Sequence, residues 1–307
     1  MNTFKNHAGF SISNSKLQVV EINCTNNHFF LKNVDEAFFN EVIDFKNDKE
    51  TKIGSLLQSA FDEIVLKNPL ETKFSSFTLP QELFYITQIP YDNTLLHDDL
   101  TEELKWELSV LYPQAPTNDL LIQYIEIEKN KLVDYNTVLV VGLNRRYLKI
   151  IKNFCYQNNL KLIYTDNLFL AAERALNVIT SSKVIGLTLS AYYSSNILSL
   201  IFSYERKPFL FKSIRVNNVS EIPAKIVKEI NTKDKKIAPD QIDTAYISGE
   251  NLSPALINSI KDVTTIDFIQ YNPFEKLTPE PDIYNNPFFG ERYNSFTSAA
   301  GIAMRAI

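Results

Sequence analysis

Glycine is scarce in this chain: seven among 307 residues, where ordinary usage of about 7% would give roughly 21. Loops that cradle phosphate need glycine so that backbone N–H groups can approach the anion closely. Few places remain where such a loop could sit. Cysteine is scarce as well. Cys24 and Cys155 are too few for a disulfide framework and point to a reducing compartment. Together with His7, His28 and His97 they show no metal-ligand spacing. No apolar run approaches the ~20 residues a membrane helix requires, and the N-terminus has no signal-peptide core. A cytoplasmic protein that touches membrane only through partners is the expectation. Positive charge is not in surplus either: 31 Lys and Arg against 36 Asp and Glu leave a net charge of −5, which offers no footprint for nucleic acid. The short basic run at 233–236 reads as a solvated loop.

What the chain does contain is a stretch that occurs twice. From Gly9 it reads Gly, apolar, hydroxyl, apolar, Ser, and then runs through Leu17, Val19 and Ile22. From Gly186 the same opening recurs and runs into the apolar segment 197–202. A third strand of similar texture follows each, at 28–34 and 208–214. Three elements repeated in order, half a chain apart, predict a duplicated α/β domain. An apolar content of 45% and a charged content of 22% suit two medium-sized soluble domains.

Between the repeats the spacing predicts further elements. Ile53, Leu56, Leu57, Ala60, Phe61, Ile64 and Val65 form the buried stripe of a helix that Asn68-Pro69 stops. A strand at 73–79 ends at Pro80. A smaller unit then begins, with a strand at 83–89. Asp99 and Glu102 read as the capping pair of a helix through Leu104, Trp106, Leu108 and Leu111. Strands at 120–127 and 137–143 and a helix at 145–156 follow. Beyond a strand at 160–164, Asp166 reads as the cap of a helix rich in Ala171, Ala172 and Ala175. In the second half, helices are expected at 220–230 and from Ser253-Pro254, with strands at 244–247 and 264–269. The small-residue helix at 298–305 is expected to pack closely against a sheet or another helix.

This element order, occurring twice, resembles that of the actin-like fold. Several strings resemble the type IV pilus assembly protein PilM family in particular: 9–22, Leu79-Pro80, Ile89-Pro90, 104–107, 139–144, 166–176, 246–249, 272–274 and 300–305. They are spread over nearly the whole chain and stand in the family's order. The resemblance implies an α/β, actin-like (duplicated RNase H-like) two-domain fold with an inserted small α/β subdomain like that of the cell-division relative FtsA. The first domain would comprise 1–82 and 163–182, the insertion 83–162, the second domain 183–290, and a C-terminal helix at 291–307 would return to the first domain. It also implies a cytoplasmic scaffold at the inner membrane, bound by the short N-terminal cytoplasmic tail of a bitopic, PilN-like pilus protein, with pilus motor ATPases as further partners. The tail would lie in a groove between the first domain and the insertion. A GspL-like scaffold of type II secretion is an alternative.

In the actin-like family an Asp then a Gly end the first strand, and the second repeat carries the same pair; they hold hydrated Mg²⁺ and meet the phosphates. By this resemblance the Asp positions are Ser11 and Thr188, and the Gly positions are Ser13 and Ser190. The adenosine-side loop keeps Ser248 and Gly249 but continues with Glu250, a carboxylate where phosphate would lie. The acid that positions water falls at Leu168. These changes imply a pseudo-ATPase with no cofactor, no metal and no catalytic residue, because phosphoryl transfer would lose its electrostatic support. The alternative is a divergent protein that still binds Mg-ATP through hydroxyls and amides, with Lys16 on a phosphate. Read without the resemblance, Ser11, Ser13, Thr188 and Ser190 are turn hydroxyls, Lys16 a solvated hairpin lysine, and Asp166 a helix cap. Trp106 is then a core residue, with a peptide contact in the insertion as its alternative.

Overall fold

The first repeat folds as an antiparallel meander of β1 (Asn6–Ile12), β2 (Lys16–Thr25) and β3 (His28–Phe38). Helix α1 (Glu50–Lys67) then crosses back to β4 (Phe74–Leu79), which lies parallel to β1. Residues 6–25, 28–92, 94–180, 186–230 and 237–306 are described by this computed structural model. The basic run at 233–236 and Val184, at the start of the second repeat, lie outside the described residues. After β4 the chain forms β5 (Phe84–Pro90), α2 (His97–Leu111), β6 (Leu120–Ile127) and β7 (Thr137–Asn144). It returns through α3 (Arg145–Gln157), β8 (Lys161–Asn167) and α4 (Leu168–Ile179).

The second repeat supplies β9 (Leu187–Ser194), β10 (Ile197–Tyr204), β11 (Lys207–Arg215), α5 (Ile222–Ile230), β12 (Thr244–Gly249), α6 (Pro254–Thr264) and β13 (Phe268–Gln270). The chain ends with β14 (Thr278–Pro279), α7 (Pro287–Gly290) and α8 (Thr297–Ala303). Strand order in the first sheet is β14-β3-β2-β1-β4-β8, and in the second β11-β10-β9-β12-β13. Without the two-residue β14, the two orders are the same. A third sheet, β5-β7-β6, belongs to the insertion.

The predicted helix stripe at 53–65 is the face of α1 that packs on Phe10 and Phe77, whose rings stack 4.7 Å apart. Helix α3, read from sequence as part of the insertion, instead completes this core. Phe154 meets Phe61 edge-on at 5.4 Å and Phe77 at 5.9 Å. The inserted unit therefore ends near Asn144 rather than at 162. Its own core is Leu100, Leu104 and Leu108 of α2 against Leu120, Val138 and Val140. Those leucines recur every four residues, which leaves Trp106 about 200° around the helix from Leu104. Trp106 is 62% exposed, not core.

Two capping expectations also change. Leu96 occupies the N-cap position of α2 and supplies no side-chain bond, while Asp98 and Asp99 lie within the first turn, where their charge complements the helix dipole. Asn167, not Asp166, caps α4: its Oδ1 accepts from Phe169 N at 2.9 Å and Leu170 N at 3.4 Å. The expected strand at 264–269 shortens to Phe268–Gln270, because α6 continues to Thr264 and Thr265 stops it with a left-handed φ of 62°. β-Branched residues at 263–266 read as strand, but Thr264 Oγ1 bonds back to the Ile260 carbonyl at 2.7 Å, a bond available only within a helix.

Helix α8 runs between β1 and α4 at backbone contact. A Cβ on Gly301 would stand 1.7 Å from the Ala171 carbonyl oxygen, and one on Gly9 would stand 2.3 Å from that of Ala299. Small residues at 298–303 make this approach possible. No described helix is long and apolar enough to cross a membrane.

Candidate functional site

Two places invite chemistry: the cleft where the two repeats face each other, and a groove beside the insertion. At the cleft, the β1–β2 hairpin turns on Ser13, whose Oγ accepts from the backbone N–H groups of Ser15 and Lys16 at 3.3 Å each. Ser13 thus serves its own turn. Ser11 is buried within β1.

Lys16 is not the solvated lysine expected of a hairpin. It is 5% exposed. Its Nζ lies 3.0 Å from Glu36 Oε2 on β3 and 3.4 Å from Glu250 Oε1 beyond β12. The Phe38 ring sits below it at 5.7 Å. Gln18 donates to the same Glu36 oxygen at 3.0 Å. Arg292 Nη2 stands 2.6 Å from Glu36 Oε1, close as an ion pair though off-line as a hydrogen bond. Two cations and two carboxylates from both repeats and the C-terminal segment neutralise one another here.

Glu250 is held from the second repeat. Its N–H donates to the Tyr193 carbonyl at 2.8 Å, and Ser194 Oγ approaches Oε2 at 3.3 Å. Gly249 has a φ of 120°, and a Cβ there would stand 2.1 Å from the Tyr193 oxygen, so the close backbone approach requires this glycine. The tip of the second hairpin is Ser195-Asn196, with φ values of 50° and 64°, the left-handed pair of a two-residue hairpin turn.

That tip corrects the positions that the resemblance implied for the second repeat. Thr188 and Ser190 stand six and four residues before Ser194 along β9, about 20 and 13 Å from it at strand rise. The structure does not bring them to the cleft. Thr188 Oγ1 bonds the Ser203 carbonyl at 3.4 Å, and Ser190 Oγ donates to Glu173 on α4. The strand end corresponding to Ser11 is instead Tyr192-Tyr193-Ser194. Tyr192 is buried, stacked on Phe169 at 6.3 Å, and its hydroxyl lies 2.8 Å from Ser298 Oγ. Leu168 is buried beside it in the same apolar cluster. Among the described residues no group of three His, Cys, Asp or Glu could hold a metal ion.

The groove lies between β6 and β8. Strand β8 terminates the first sheet and β6 terminates the inserted one. A cavity of about 310 Å³ separates them, lined by Leu121, Gln123, Leu143, Leu148 and the consecutive residues 162–166. Alternate residues line a cavity from a sheet face and consecutive ones from a strand edge: Leu121 and Gln123 of β6 with Val141 and Leu143 of β7 are one face of the inserted sheet, whereas 162–166 are the free edge of β8. Thr165 Oγ1 is buried there with no hydrogen-bond partner, a condition that ordinarily signals a missing partner. The groove opens past Asp166, which holds Arg174 at 3.1 Å and Arg305 at 2.6 Å, into a second cavity of about 700 Å³. Asp166 is therefore an ion-pair centre and not a cap.

Sequence reading missed Glu36, Arg292, Thr165 and Glu173. Glu36 and Arg292 meet from distant segments, and Thr165 and Glu173 matter through the cavities that tertiary packing builds around them, so local pattern carries little of any of the four. The second hairpin tip was legible, since Asn196 precedes the apolar run 197–202 as a two-residue turn requires.

No protein-family profile matches the sequence, and no curated protein does. Solved structures do match. A "PilM-PilN type IV pilus biogenesis complex" is similar at a TM-score of 0.77 and 14% identity, over 98% of this chain and 98% of that one. A Bacteroides thetaiotaomicron protein of unknown function with an actin-like ATPase fold is similar at 0.58 and 15%, over 88% and 91%. The ethanolamine utilization protein EutJ of Carboxydothermus hydrogenoformans is similar at 0.52 and 7%, over 97% and 89%. The fold of this chain is actin-like.

Proposed function

We propose that this chain is a PilM-like, non-catalytic scaffold of a type IV pilus or related secretion assembly. It holds the short N-terminal cytoplasmic tail of a bitopic, PilN-like inner-membrane protein as an extended strand in the groove between β6 and β8. The observation that carries this reading is the free edge of β8 facing the inserted sheet across one groove, with Thr165 Oγ1 buried and unpartnered inside it. An added strand would supply main-chain hydrogen bonds, and the apolar pockets by Leu121, Leu143 and Ile163 would select side chains. The end-to-end likeness to a solved PilM–PilN complex supports the same partner class.

On this reading the protein works in the cytoplasm, beside the inner membrane, and reaches the bilayer through its partner. Pilus motor ATPases are further partners. Lys16, Glu36, Arg292 and Glu250 act as a clasp between the repeats. A triphosphate entering there would meet two carboxylates and would have to break both ion pairs of Lys16, which supports a role without ATP turnover.

Titration with the synthetic cytoplasmic tail of the bitopic membrane protein encoded beside this chain tests the reading. Saturable micromolar binding is expected, lost in Leu121→Asp and kept in Trp106→Ala, which lies outside the groove. No binding at high micromolar concentration contradicts it.

A further inference from the structure

Beyond Asp166 the groove widens into the 700 Å³ cavity, which shares Gln123, Val141, Asp166 and Arg305 with it. Its apolar walls are Leu170, Ile201 and Phe211. On its floor is Glu173 of α4. The Glu173 carboxyl accepts hydrogen bonds from Ser190 Oγ and from the Asn177 side chain, both neutral. The basic groups around the cavity are already held: Arg174 and Arg305 share Asp166, and Lys207 lies 3.4 Å from Glu128. Among the described residues no cation pairs with Glu173.

A half-buried carboxyl facing a cavity without a counter-ion is costly in its charged form. Burial pushes the Glu173 pKa up to about 7, against the weaker opposing pull of Ser190 and Asn177. An ammonium or guanidinium brought into the cavity would relieve that cost, with Leu170 and Phe211 packing its aliphatic stem.

We propose that this cavity receives one basic side chain, arginine or lysine, of the extended segment bound in the groove, with Glu173 as its counter-ion. The inference rests on the groove reading above and adds to it a required residue. Continuity of the two cavities through Gln123 and Asp166 places that residue on the same bound strand as the groove contacts.

Selection of displayed random peptides on the full chain, and in parallel on Glu173→Gln, tests it. The glutamine keeps an acceptor for Ser190, and a melting curve verifies the fold of the variant. The expected result is one position enriched in Arg or Lys on the wild-type protein, with the enrichment lost on Glu173→Gln while the apolar groove positions persist. Wild-type-selected peptides should bind the variant tenfold or more weakly. Peptides with no basic position, or with the same basic enrichment on both proteins, would overturn this inference and leave the groove reading intact. Recovery of no peptide would overturn both.

Discussion

Lys16 and Glu250 meet across the cleft at 3.4 Å, one from the first hairpin and the other from the loop after β12. The pair joins the two repeats, and Glu36 shares the lysine at 3.0 Å. Breaking a buried pair by removing one partner costs about 3–5 kcal/mol, because the other charge is left uncompensated. Lys16→Met is therefore expected to lose roughly 3 kcal/mol in urea unfolding. Lys16→Met/Glu250→Gln should lose less than the two single changes summed, and additive losses would count against the clasp.

Nucleotide should have little effect. A ligand present at 100 times its dissociation constant stabilises by about 2.7 kcal/mol. Melting curves with ATP, ADP and Mg²⁺ are expected to coincide with the curve of the free protein. A clear upward shift would show that the clasp opens to admit nucleotide.

Helix α8 depends on two glycines that have no substitute. A methyl on Gly301 would overlap the Ala171 carbonyl, and one on Gly9 would meet the backbone of Ala299 and Ala303. Gly301→Ala is expected to cost about 3 kcal/mol or more, as overpacking against backbone does. Gly54→Ala has open space around its Cβ and should stabilise α1 by about 0.5–1 kcal/mol. Thermal melts of the two variants check the contrast.

Glu173 makes stability depend on pH. Its folded pKa of about 7 lies above the ordinary value of 4.5, so the folded protein keeps a proton that the unfolded chain releases. Stability therefore falls as pH rises through that window, and the loss is complete above about 7. Glu21, pushed up to about 7 by burial, acts in the same direction. Glu173→Gln removes the Glu173 share: it should stabilise by about 3 kcal/mol at pH 8 and by almost nothing near pH 4. An equal gain at both would contradict the assignment.

The repeat of three strands was enough to read the fold, because side-chain period and turn residues fix a meander locally. The cleft was half legible. Glu250 and Leu168 stand out against a family pattern, yet the partner of Glu250 is 234 positions away in sequence, at Lys16, and no local pattern reports such a pairing. Thr188 and Ser190 misled because the opening of the second repeat copies that of the first, while β9 runs to Ser194 before it turns. The place of the groove, between the first domain and the insertion, was expected from the resemblance, but the residues that line it were not legible. They come from the edge of β8 and a face of the inserted sheet brought side by side by tertiary packing, and an edge strand looks the same in sequence as a paired one.

The groove makes one further demand, on backbone amides. Hydrogen exchange of the full chain with and without the membrane partner's cytoplasmic tail reads them directly. New protection is expected at β8 around 162–166. Protection at the Ser13 and Ser195 hairpins instead, or none at β8, would contradict an extended tail in the groove.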